Sequence, residues 1–220
     1  MQGANESPAN FNARVQQTQS QYAGALDQYN NPNSQLGHIP TIQTINKNIL
    51  DLLKDKSVNT GAIADYLANK TNKGALNAKE QELTKYLEQR IRQQATRTDQ
   101  DQQSLRSAFG NFSTNKDALI DILYNDKGTL ASQKLFYSGI KNYQGNPNKP
   151  NLGSISKFEN DFNTINQDPD VSHLLGVIGT KKTNQLTNTD KQHLQKYFGG
   201  MSDERINDLF KKRDELMRLV

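Results

Sequence analysis

Apolar side chains in this chain return every three or four residues, and no stretch alternates apolar with polar convincingly over the length of a strand. An α-helix places residues three and four apart on one face, whereas a strand does this at every second residue. The spacing therefore predicts an all-α protein of eight to ten helices with no sheet, arranged as two loosely coupled helical bundles. The stripes are thin. Only 33% of the 220 residues are apolar, or about 39% with the 14 glycines, against ~45–50% for an ordinary soluble domain on the count that includes glycine. Asn (25) and Gln (21) take much of the remainder. One large fused core is excluded, and so is a membrane span, which needs about 20 mostly apolar residues in a row.

Residues 1–40 read as an N-terminal helix plus a loop. Ser7-Pro8 suits a helix start, because proline is tolerated in a first turn. Phe11, Val15, Thr18, Tyr22, Ala25 and Tyr29 then follow at spacings of 4, 3, 4, 3 and 4, with Leu26 at the edge of the stripe. The rest of that helix is mostly Gln, Asn, Ser and Ala, so the stripe resembles a coiled-coil seam. Such a seam must dock, either on this chain's own bundle or on a partner protein. Phe11, Val15, Tyr22, Leu26 and Tyr29 are the candidate partner-binding residues.

Residues 41–143 read as a helical bundle. Thr41 can cap a helix to about Lys56, and Thr60 a shorter one. Asn77 and Glu80 form a capping-box variant. The helix they open can reach Phe109 if it continues through the polar stretch Ala95–Ser104. Ser113 or Thr114 starts the next helix, Asp126-Lys127-Gly128 reads as a turn, and Thr129 starts another. The similar words Ile49–Leu53 and Leu119–Leu123 hint at a duplicated hairpin. Residues 144–153, with two prolines and two glycines, read as a linker. Residues 154–220 read as a C-terminal helical bundle. Ser156 and Glu159 suggest a capping box there. Asp168-Pro169 opens an apolar helix closed by Gly179. Gly199-Gly200 closes another, and Ser202-Asp203-Glu204 opens the last with a cap and two acids at the positive end of the dipole.

Many chemistries have no residues to carry them. Cysteine is absent, which removes disulfides, thiolate nucleophiles and thiolate metal sites. His38, His173 and His193 are the only histidines, and no HExxH accompanies them. They read as surface or boundary side chains, so no metal ligand, catalytic residue or cofactor is assigned. Asp168-Pro-Asp170 imitates the start of a calcium loop, but His173 and Gly179 stand where Gly and Glu are needed. Gly176–Lys181 lacks the spacing of a phosphate loop. Lys211-Lys212-Arg213 with Arg218 is the one local basic cluster, and it reads as a solvated helix face. His193–Leu219 has a helix-turn-helix outline. Its second helix begins with Asp203-Glu204, which would repel phosphate.

The function expected from these residues is non-enzymatic. The chain reads as a helical adaptor or scaffold subunit acting through protein–protein contacts in a larger bacterial assembly, such as an accessory subunit of a specialised secretion apparatus. The first alternative is a secreted bacterial effector that binds a host protein; the second is a helix-turn-helix nucleic-acid binder. The expected partners are other proteins, with neither nucleic acid nor a membrane span. Met1–Glu6 carries no positive run and no apolar segment of a signal peptide. The expected location is cytoplasmic, or secreted without a cleavable signal.

Overall fold

The computed structural model describes residues 7–31, 34, 36–69, 75–94, 115–145 and 152–220. Among these residues there are nine α-helices, one 3-10 turn and no strand, so the chain is all-α. None of the helices described is long and apolar enough to cross a membrane. The stretch Ala95–Ser104, the start at Ser113 or Thr114 and most of the 144–153 linker lie outside the described residues.

The helices gather into two units, His38–Lys127 and Met1–Gly37 with Gly128–Val220. The unit His38–Lys127 holds α2 (Ile39–Leu53), α3 (Thr60–Asn69), α4 (Ala78–Gln94) and the first part of α5 (Lys116–Gly145). Helix α2 begins two residues before Thr41, with Pro40 in its first turn. Its stripe Ile42, Ile45, Ile49 and Leu53 is buried, as are Leu83, Leu87 and Ile91 of α4, on which α2 packs. The Asn77 box forms as the sequence predicts. Asn77 Oδ1 accepts the Glu80 amide at 3.0 Å, and Glu80 Oε2 accepts the Asn77 amide at 2.8 Å. Glu80 also accepts the Asn59 amide at 2.8 Å, which ties the entry of α3 to that of α4.

A polar cluster lies in this core. Asn46 is fully buried and Arg90 nearly so. Asn46 Nδ2 donates to Asp126 Oδ2 at 2.6 Å, and Arg90 Nε donates to Asn46 Oδ1 at 3.2 Å. Arg90 Nη2 reaches Asp126 Oδ2 at 2.5 Å. The three side chains bond one another, as polar groups withdrawn from water generally do, and Arg90 Nη1 alone of the guanidinium nitrogens is buried without a partner.

The other unit holds α1 (Pro8–Asn30), the remainder of α5, α6 (Leu152–Asn166), α7 (Pro169–Ile178), α8 (Asn188–Phe198) and α9 (Asp203–Leu219). Helix α9 packs on α6 and α7, and α7 on α8. The turn expected at Asp126–Gly128 does not occur, because α5 runs unbroken for 30 residues. Gly128 serves close packing instead: a Cβ there would overlap the Ser172 carbonyl of α7. Glycine in a helix costs about 1 kcal/mol relative to alanine, and here it lets two helix backbones approach. Gly139 has the same role against the Phe158 ring. The second copy of the supposed hairpin therefore has no second short helix after it. Ser156 likewise sits inside α6 rather than capping it.

Candidate partner-binding site

The α1 stripe meets this chain's own helices at two points. Tyr22 is buried, and its hydroxyl donates to Glu159 Oε2 on α6. Burial, and then the Glu159 carboxylate beside it, push this phenol well above its ordinary pKa. Glu159 was expected to close the Ser156 box; it accepts Tyr22 instead. The Tyr29 ring stacks on Tyr137 of α5 with centroids 4.9 Å apart. Phe11 and Leu26 are half-buried, and the side chain of Val15 lies outside those described.

Helix α7 is enclosed almost all round. Val171, His173, Leu174, Leu175, Val177 and Ile178 are all buried. Asp168 caps its start, accepting the Asp170 amide at 3.2 Å. Gly179 ends it at φ +57°, a conformation open to glycine and strained for other residues. The reading of His173 as a surface or boundary residue is overturned. Its ring is fully buried, lies face to face with Tyr197 at 3.4 Å between centroids, and meets Phe198 edge-on. His173 Nε2 is 3.3 Å from Nε2 of the half-buried His193 on α8. Burial, and then the neighbouring His193, drive the His173 pKa down to about 3. The ring is therefore neutral at physiological pH. General acid–base catalysis works best with a pKa near the operating pH, and this imidazole lies far from it. The pair is an internal contact between α7 and α8. The sequence carried a signal for it: His173 sits inside the apolar run Val171–Ile178, and His193 and Tyr197 are four apart on one helix face.

Besides an exposed face, helix α9 carries three flanks, which its 3.6-residue period keeps in register. Leu209, Arg213 and Leu216 are buried. Beside them Arg205, Asp208 and Lys212 form an ionic flank. Arg205 Nη2 bonds Asp168 Oδ1 at 2.8 Å and Asp170 Oδ2 at 2.9 Å. Lys212 Nζ lies 3.0 Å from Asp168 Oδ2 and 2.9 Å from Asp208 Oδ2. Burial raises the Asp168 pKa, but Arg205 and Lys212 outweigh it and hold the carboxyl below the usual range. The two acids that mimic a calcium loop are thus engaged by cations of α9. The basic cluster is only in part the solvated face that the sequence implied: Lys211 and Arg218 are exposed, but Lys212 is half-buried in ion pairs and Arg213 is 3% exposed.

The third flank carries Ile206, Phe210 and Met217, all half-buried. Ile206 and Phe210, with Leu194 and Phe198 of α8 and Met201 of the turn, line an open groove of about 310 Å³. The Gly199-Gly200 turn joins the two helices, and Gly199 also lines the groove. Sequence reading did not assign this groove, because its residues look like ordinary hairpin core. A larger cleft in the other unit, about 510 Å³, is lined by Thr41, Thr44, Asn48, Gln89 and Arg92 among others. It lacks this apolar character. At the start of α9, Asp203 and Glu204 are exposed, so a base-reading role for that helix end is opposed by its charge.

No family model, no curated protein and no solved structure matches this chain.

Proposed function

We propose that this chain is a helical adaptor that works through protein–protein contacts rather than catalysis, and that the α8–α9 groove is its recognition surface. The observation that carries the reading is the groove itself. Leu194, Met201, Ile206 and Phe210 remain partly exposed on one flank, while the other two flanks of α9 are occupied by its own chain. Covering such side chains contributes on the order of 1.5–3 kcal/mol each when they are fully buried, and an amphipathic helix laid into a groove is a common way to do it. The Asn-, Gln- and Lys-rich composition supports placing the adaptor in a bacterial assembly, such as a specialised secretion apparatus.

Affinity purification with mass spectrometry from the producing cell tests the reading. A Leu194→Asp, Ile206→Asp double variant should keep its melting temperature within a few degrees and lose the proteins that co-purify with the wild type. Identical sets of co-purified proteins would contradict it.

A further inference from the structure

Further along α9 lies a second, separate recess, of about 570 Å³, lined by Lys182, Asn184, Arg213, Asp214, Met217 and Arg218 among others. We propose, resting on the groove reading above, that this recess receives a carboxylate of the same partner. The ligand is then an amphipathic helix with an acidic residue about two turns beyond its apolar anchors.

Ile206, Phe210 and Met217 follow one another at spacings of 4 and 7, so their flank borders both groove and recess, with the buried Arg213 at its edge between them. Seven residues separate Phe210 from Met217, about 10 Å along the axis. The Arg213 guanidinium lies over the Phe210 ring, 5.7 Å from its centroid, and joins the two sites.

The charge of the recess is unbalanced. Lys181 is paired with Asp190 at 2.7 Å, and Arg205 and Lys212 are paired with Asp168. The Asp214 carboxylate is taken by Arg213 Nη2 at 2.9 Å. Lys182 and Arg218 have no side-chain partner among the described residues, so two positive charges face the recess uncompensated. Arg213 adds to them from below. Its Nη1 donates to the Lys181 carbonyl at 2.8 Å, but Nε is buried without a partner. Desolvation lowers its pKa, against the opposing pull of Asp214. A carboxylate entering the recess would stabilise all three cations, and a positively charged or neutral side chain there would not. Charge-assisted bonds of this type are roughly twice as strong as neutral ones.

The test selects peptides from a random display library on the full chain and measures the affinity of the enriched ones by fluorescence anisotropy. Peptides that depend on the groove, identified by their loss with Leu194→Asp, Ile206→Asp, should carry Asp or Glu six to eight residues from an apolar pair. Lys182→Glu, Arg218→Glu should weaken them about tenfold or more. Changing the peptide's acid to Gln should do the same, with little further loss when both changes are combined. Groove-dependent peptides that lack the acid, or that bind within twofold of wild type after the charge reversal, would overturn the carboxylate site and leave the groove reading standing. Failure to select any groove-dependent peptide would overturn both. If 1 mM inorganic phosphate displaces no peptide but is itself bound at Lys182 and Arg218, the recess is a small-anion site and the inference is wrong.

Discussion

Arg90, in the unit His38–Lys127, and Arg213, in the unit completed by Gly128–Val220, are each 3% exposed, and each leaves one guanidinium nitrogen without a partner. Their surroundings differ. Arg90 faces a carboxylate and an amide that are themselves bound to each other, so its charge is cancelled within the core. Arg213 is held by the Gly179 and Lys181 carbonyls and by Asp214, which is exposed to water. Its charge is only partly cancelled, and Lys182 and Arg218 add to it. Equal burial thus serves two ends. The first arginine completes a packed unit, and the second lies beneath a surface that still lacks a counter-charge.

The sharpest way to break this contrast is to remove each arginine in turn. Arg90→Met leaves Asp126 and Asn46 without their cation. Losing one partner of a buried pair costs ~3–5 kcal/mol, and the partial exposure of Asp126 reduces that to roughly 2–4 kcal/mol by the screening that surface pairs show. Chemical denaturation should report this loss. Arg213→Met should cost less, about 1–2 kcal/mol, since it leaves hydrogen-bond acceptors unmet rather than a buried anion. Equal losses would erase the distinction.

Acid separates the units in a second way. Unfolded histidine takes a proton near pH 6.5, while folded His173 does so only near 3. Between those values the unfolded state binds more protons, so stability falls as pH drops. The loss at pH 4 approaches about 3 kcal/mol at 1.36 kcal/mol per pH unit. Asp51 and Asp55 of the other unit have carboxyl pKa values held below the usual range, mainly by bonds to Lys54 and Lys79 respectively. A lowered carboxyl pKa gives stability that is lost only as pH falls below about 4. Lowering the pH from 7 to 5 should therefore speed the opening seen by hydrogen exchange, corrected for its intrinsic pH dependence, more in α7 and α8 than in α2 and α4, and a His173→Phe variant should flatten the difference. Uniform exchange across both units would contradict the assignment.

The smallest expected effect on stability is at the recess. Lys182→Glu, Arg218→Glu should shift unfolding by no more than about 0.5 kcal/mol, the ordinary range for surface positions. A larger loss would make these cations structural and remove them from the recognition surface.

Much of the helical architecture was legible in the sequence because periodicity and caps are local. Ser7, Asp168 and Ser202 cap where they were expected to, each accepting an amide of the first turn. Long-range packing was not legible. Gly128 has the local form of a turn, and only the Ser172 backbone against it explains a glycine in mid-helix. His173 looked like a lone polar residue, because its neighbours Tyr197 and His193 come from another helix. The α1 stripe was visible as a stripe, but its docking on Glu159 and Tyr137 depends on residues more than a hundred positions away. The groove was hidden for the opposite reason: its residues are spaced like core residues, and only their exposure sets them apart.

The central claim is that the flank of α9 bearing Ile206, Phe210 and Met217 is a recognition surface, whereas the exposed position Lys211 is not. Photo-crosslinking in the producing cell tests it directly, with a photoreactive phenylalanine placed at Phe210 in one sample and at the exposed Lys211 in another. The account predicts a discrete crosslinked protein from position 210, lost when Lys182→Glu, Arg218→Glu is added, and none from position 211. Equal crosslinking at both positions, or none at 210 from a protein that still co-purifies with its partners, would contradict it.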